Sequence, residues 1–183
     1  MAESIFFNKK QQFWVEEALE IAETLAADHL RVDLKDFEQF PYDLQTLKNL
    51  REQEKTRRAL AQVCKYEYRS RKAQDRQGGT GFYRICLQDD KILNTVQTEG
   101  PSLFKPLLLY VVTHELIHVI RFSVDPKRFY LQSKEKEIEE RDVHRKTYEL
   151  LKPFKDPQVE RLLERYQPWW EDFSGPGLGK AGP

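Results

Sequence analysis

Apolar residues recur along this chain in two rhythms, and one stretch is almost unbroken. In residues 9–30, Trp14, Ala18, Ile21 and Leu25 fall at i, i+4, i+7 and i+11, with Glu16, Glu17, Glu20 and Glu23 between them. That period predicts an amphipathic helix. Pro41 then breaks the chain, and Asp43 is placed to cap a second helix over about 44–59. Its apolar face, Leu44, Leu47 and Leu50, is thin. The rhythm changes at 60–69 and 81–88, where LAQVCKYEYR and GFYRICLQ are β-prone. The polar SRKAQDRQGGT between them predicts a hairpin with a long, mobile loop.

The unbroken stretch is PSLFKPLLLYVVTHELIHVIRF, residues 101–122. Ser102 is placed as an N-cap and Pro106 sits near the first turn, where proline is tolerated. From Leu107 to Ile120 every side of the helix is apolar, which predicts a buried helix. A membrane span is the other reading. It fails because His114, Glu115 and His118 interrupt a run shorter than about 18 apolar residues. After a loop at 125–130 come a strongly charged helix, about 133–152, and a shorter one, about 157–166. There are no internal repeats.

Composition narrows the picture. With 183 residues and 21.8 kDa, one domain is expected over 1–173. The Gly/Pro-rich SGPGLGKAGP, 174–183, is expected to be a disordered tail. The pattern predicts an α+β class, mostly helical, with a small antiparallel sheet packed on the 101–122 helix. Thirty basic residues balance thirty acidic ones, which argues against a nucleic-acid or membrane-surface binder driven by bulk charge. Two Cys cannot build a disulfide framework or a Cys-rich zinc module. No basic start precedes a long apolar run at the N-terminus, so a cytoplasmic location with reduced thiols is expected.

The chemistry concentrates in His114-Glu115-Leu116-Ile117-His118, an HExxH motif. Residues i and i+4 share a helix face, so both imidazoles can reach one ion. Glu115 is turned about 100° from His114, so its carboxylate can reach a water at the metal without ligating. An unpaired ionised Glu in an apolar helix costs several kcal/mol, which marks this one as having a use.

A catalytic zinc takes three protein ligands and leaves one position for water. The chain has only four His, and His29 lies far from the motif in sequence. The third ligand is therefore sought in KEKEIEERDVHRKTYELLKPF. There Val143, Thr147, Leu150, Leu151 and Phe154 define the face to be buried. Glu140 projects near the middle of that face, Glu139 and His144 at its edges, and Glu137 further round. Phase favours Glu140, with Glu139 and Glu137 left open. His144 can ligate the metal, support a ligand by hydrogen bonding, or donate to a developing oxyanion.

HExxH on a helix, with a Glu in the following helix, resembles the gluzincin branch of the zinc metallopeptidases (zincins), of which thermolysin is the familiar member. The resemblance covers residues 114–144. It implies Zn²⁺ held by His114, His118 and Glu140, with Glu115 as general base in peptide hydrolysis. The position that many gluzincins fill with an Asp orienting a zinc histidine is His144 here. The metzincin pattern HExxHxxGxxH is absent, since residues 121 and 124 are Arg and Val. Zincin folds place an edge strand beside the motif helix to hold extended substrate, and strand 81–88 is the candidate. His144, Tyr110 and Tyr148 are candidate oxyanion donors, His144 favoured by phase.

The expected function is thus a zinc metallopeptidase acting on a peptide or protein. Two other classes compete with it. A zinc site closed by both Glu140 and His144 would be structural or regulatory. Residues 48–76 hold ten Lys/Arg against four Asp/Glu, with Tyr66 and Tyr68 among them, a possible nucleic-acid surface.

Overall fold

A computed structural model describes residues 5–30, 41–67 and 81–167. The loop expected between the two strands, the expected tail and residues 68–76 of the basic stretch lie outside these residues. The architecture is α+β. Its elements are α1 (Lys9–Leu30), β1 (Tyr42–Gln45), β2 (Ala61–Glu67), β3 (Gly81–Leu87), α2 (Asp89–Glu99), α3 (Phe104–Val124), α4 (Ser133–Leu151) and α5 (Pro157–Tyr166).

The apolar α3 is the centre of the molecule. Every side chain from Leu107 to Ile120 is buried, because α1, α4, α5 and the sheet pack around it. By length and composition the segment Pro101–Val124 could cross a membrane, but 83% of that window is buried inside the protein. This is the environment of a core helix. On α1 the buried line runs Val15, Ala18, Ala22 and Ala26, while Trp14, Ile21 and Leu25 flank it half-buried. Small residues on that line let α1 lie close to α3, which larger ones would prevent.

The sheet has three strands in the order β1-β3-β2. It is mixed, not purely antiparallel as expected: β2 is antiparallel to β3, but β1 joins β3 in parallel. Tyr83, Ile85 and Leu87 of β3 face the core, and Tyr83 Oη donates to the Phe122 carbonyl of α3 at 3.0 Å. The helix expected over 44–59 does not form. Tyr42–Gln45 pairs with Tyr83–Cys86, and two 3₁₀ turns follow, Leu47–Asn49 and Glu52–Glu54. Tertiary contacts override the weak helical signal there. Asp43 pairs with Arg84 at 2.7–2.8 Å instead of capping a helix. Glu54, fully buried, receives Arg84 at 3.0 Å and the Tyr66 hydroxyl.

Sequence reading passed over α2. Its start is fixed by Asp89, whose buried carboxylate accepts from the Phe7 and Leu47 amides, each at 2.9 Å. Gly100, with φ +119, ends it in a conformation that side chains rarely adopt.

Strand β3 is the central strand, so it has no free edge for substrate. The edge beside α3 belongs to β2. Gln88 N donates to Leu60 O at 2.8 Å, and the register pairs Gln62 with Cys86 and Cys64 with Arg84. Hydrogen-bonded pairs alternate in an antiparallel ladder, so Leu60, Gln62, Cys64 and Tyr66 bond to β3. The backbone N–H and C=O groups of Ala61 and Val63 therefore point to the outer edge, and no strand among the described residues pairs with them.

Candidate metal centre

Helix periodicity puts His114 and His118 on one face of α3, and both are buried, at 8% and 5% exposure. Their Nε2 atoms face α4 and meet one oxygen of Glu140, Oε2, at 3.5 and 3.4 Å. All the candidate ligand atoms of these three residues lie within 4.8 Å of one another. This His-His-Glu group can hold a metal ion. Among the described residues the Nδ1 atoms of both histidines are buried without a hydrogen-bond partner, so neither ring is fixed through its other nitrogen as metal-bound histidines usually are.

Charge is shifted across the group. Burial would raise the Glu140 carboxyl, but the facing His114 and His118 outweigh it and hold it well below the usual carboxylate range. Burial would lower His118, yet Glu140 overrides that and raises it. Glu115 goes the other way. Burial pushes its carboxyl up, with His114 and His118 opposing and Glu140 adding to the rise. It lies in the same cavity as the three ligands without belonging to the cluster.

The phase argument found the carboxylate that meets the histidines but misjudged which one is buried. Glu139 is the deep residue, 4% exposed, on the line of Val143 and Thr147. It is held by Arg121 through Nε and Nη2 at 2.6 and 2.7 Å, and by Arg128 at 2.6 Å. Glu140 is only half-buried because its side of α4 opens onto the cavity; the apolar positions begin a turn later. Glu137 is exposed. Arg121 lies one turn beyond His118, so this clamp sets α4 against α3 where Glu140 must reach the two histidines. Its partners come from three separate segments, and no local pattern announces it.

His144 is not one of the gathered ligands. Its Nδ1 lies 2.7 Å from the Tyr110 hydroxyl, and its ring centre is 4.4 Å from that of His114. Burial and the neighbouring His114 push it down to about 3, so it is a neutral imidazole. Burial also raises Tyr110, which keeps its phenolic proton. Tyr110 Oη and His144 Nδ1 share one hydrogen bond, in which either can donate, and His144 lines the wall of the cavity. Tyr166 of α5, unforeseen from sequence, stacks on Tyr110 at 4.5 Å and lines the same wall. Tyr148 is not among the lining residues; its ring takes Lys152 at 5.5 Å. His29 is exposed and apart from the cluster.

The cavity is an open cleft of about 770 Å³ between β2 and the α3–α4 pair. One wall is the start of β2, including Ala61, Gln62 and Val63. The other carries His114, Glu115, His118 and Glu140. No protein-family model, curated protein or solved structure matches this chain.

Proposed function

We propose that the protein is a zinc-dependent metallopeptidase. The observation that carries this reading is a three-ligand group with a separate raised carboxyl, Glu115, inside a cleft walled by an open strand edge. The two Glu140 distances fit a first-row metal ion, zinc among them. Bonds of about 2.0–2.1 Å at tetrahedral angles place ligand atoms about 3.3–3.4 Å apart. Glu140 Oε2 stands 3.4 and 3.5 Å from the two nitrogens, too long for charge-assisted hydrogen bonds of about 2.7–2.9 Å. Three protein ligands leave one coordination position, as catalytic sites require.

When bound, zinc acidifies a water and polarises a carbonyl oxygen. The chain's residues supply the rest. An extended peptide pairs with the outward N–H and C=O groups of Ala61 and Val63, which aligns its backbone along the cleft. Glu115 takes the proton of the attacking water as oxygen bonds to the carbonyl carbon. It then delivers that proton to the amide nitrogen as the C–N bond breaks, leaving a carboxylate and an amine. A buried carboxyl suits this, because burial makes it a stronger base toward the attacking water. His144, positioned by Tyr110, donates to the oxygen that gains charge.

The test is Glu115→Gln. The variant keeps zinc but loses about 10²–10⁴-fold in peptide turnover. Equal cleavage by the variant overturns the assignment of Glu115. A zinc-loaded wild type that cleaves no member of a peptide library overturns the peptidase reading.

A further inference from the structure

The two ends of the cleft differ in chemistry. Lys65 Nζ donates to Tyr130 Oη at 3.2 Å, so the far end of β2 lies beside the Pro126–Tyr130 turn. That end is lined by Phe122, Phe129 and Leu131. The near end is built on Gln88. Its backbone N–H holds Leu60 O at 2.8 Å, its Oε1 takes Thr56 N at 3.2 Å, and its carbonyl takes Lys91 N at 3.0 Å. Arg57 and Arg58, between Thr56 and Leu60, are thereby set against the first turn of α2, which carries Lys91. Asn94 and Thr95, one turn on, line the same end.

Among the described residues, Lys91 pairs with its neighbour Asp90, at 3.1 Å, in a partly exposed pair. Arg57 and Arg58 are exposed, and among the described residues neither has a carboxylate partner. The cleft's three carboxylates are all committed elsewhere: Glu115 and Glu140 at the metal centre, Glu139 to Arg121 and Arg128. A divalent ion at the centre adds positive charge. The near end is thus an electropositive pocket in a chain whose net charge is zero.

We infer that Arg57, Arg58 and Lys91 form a carboxylate-binding subsite that selects extended peptides carrying acidic groups toward the start of β2. The inference rests on the peptidase reading for the word peptide, and its binding test does not require turnover. Two guanidiniums are suited to carboxylates, which they grip through paired N–H donors. A basic pocket also fits a phosphate chain. The peptide is favoured because an open strand edge runs straight from the pocket past the metal centre, and a strand edge pairs with polypeptide backbone. Among the described residues no aromatic side chain lines the cationic end; the cleft's aromatic groups gather at the opposite end and around His144.

Zinc-loaded Glu115→Gln protein provides the test, by fluorescence anisotropy. The probes are labelled extended peptides with a run of Glu at either end, the same peptides with Gln, C-terminally amidated copies, and an oligothymidylate. A Glu run binds about tenfold more tightly than the Gln run, as two or three partly exposed ion pairs dictate. The advantage shrinks with added salt. It disappears in the Arg57→Gln/Arg58→Gln variant, whose zinc content and melting temperature match the parent. The amidated copies separate a terminal carboxylate from acidic side chains. Equal affinity for Glu and Gln peptides, or an advantage that survives the double variant, overturns the inference. So does tighter Arg57/Arg58-dependent binding of the oligothymidylate, which makes nucleic acid the partner. Acid-selective binding by a wild type that cleaves nothing leaves the subsite standing and removes the peptidase.

Discussion

Replacing Glu139 with Gln isolates the clamp between α3 and α4. The carboxylate is 4% exposed and accepts three charge-assisted hydrogen bonds, from Arg121 at 2.6 and 2.7 Å and from Arg128 at 2.6 Å. Glutamine keeps the size but presents a donor where an acceptor is needed and leaves two guanidiniums facing it. Breaking a buried ion pair costs about 3–5 kcal/mol. Arg121 keeps Asp142 at 3.7 Å and Arg128 keeps Asp125 at 3.5 Å, so the low end applies, about 3 kcal/mol. For a chain of this size that lowers Tm by about 6–12 °C. The second effect is on the metal. Glu140 is the next residue, and slack in α4 moves its carboxylate off the line set by His114 and His118. Zinc affinity falls about tenfold, the lower end for groups supporting a ligand, since Glu139 does not touch one. Thermal melts of the metal-free protein and zinc titration against a chromophoric chelator give the two numbers. Asp142→Asn serves as control and stays within about 0.5 kcal/mol. A stability loss under about 1 kcal/mol with unchanged zinc affinity refutes the clamp argument. Large zinc loss without any loss of stability makes Glu139 itself a ligand.

Zinc should stabilise the fold by mass action: at 100 times its Kd the gain is about 2.7 kcal/mol. A chelator should reverse that gain, and His118→Ala should show neither effect; melts with and without zinc decide. The Asp43–Arg84–Glu54 group predicts an acid limit. Burial would raise the Glu54 carboxyl, but Tyr66, the Arg51 amide and Arg84 outweigh it and hold it below its usual 4.5. A depressed carboxyl gives stability that is complete above 4.5 and is lost as pH falls through its lower folded value. Arg84→Gln removes one of the depressing partners, so its acid-unfolding midpoint should move up; an unchanged midpoint on a circular-dichroism pH titration counts against this.

The parts of the fold with a strong local period were legible. Helices α1, α3, α4 and α5 announce themselves by spacing, and β2 and β3 by β-branched and aromatic content. Residues 44–59 misled because Leu44, Leu47 and Leu50 share a helical spacing. Their fate was set by Arg84, far along the chain, which draws Asp43 and Glu54 to the sheet. Helix α2 was readable in retrospect: Asp89 and Asp90 sit in its first turn, Ile92 and Val96 share a face, and Gly100 ends it. At the candidate metal centre, HExxH placed two histidines on one helix face, and Glu140 was reached through a helical phase that put it deeper than it lies. The depth of Glu139, the Tyr110–His144 bond and the Tyr166 wall depend on how helices meet, which periodicity does not encode.

The outer edge of β2, which no described strand covers, also bears on how this protein behaves in concentrated solution. Any strand with exposed N–H and C=O groups is a template for another chain, including a second copy of itself. Here the edge is framed by Arg57 and Arg58 before its start and by Lys65 along it. Two copies meeting edge to edge in parallel would bring like charges together, while an acidic segment would be drawn in. The same cations that choose a guest therefore keep the protein from becoming its own guest. That protection is electrostatic, so it weakens as salt rises and the Debye length falls from about 10 Å at 0.1 M to about 3 Å at 1 M. Low ionic strength, rather than the high salt often used to keep proteins apart, is the condition in which parallel edge-to-edge pairing should be weakest.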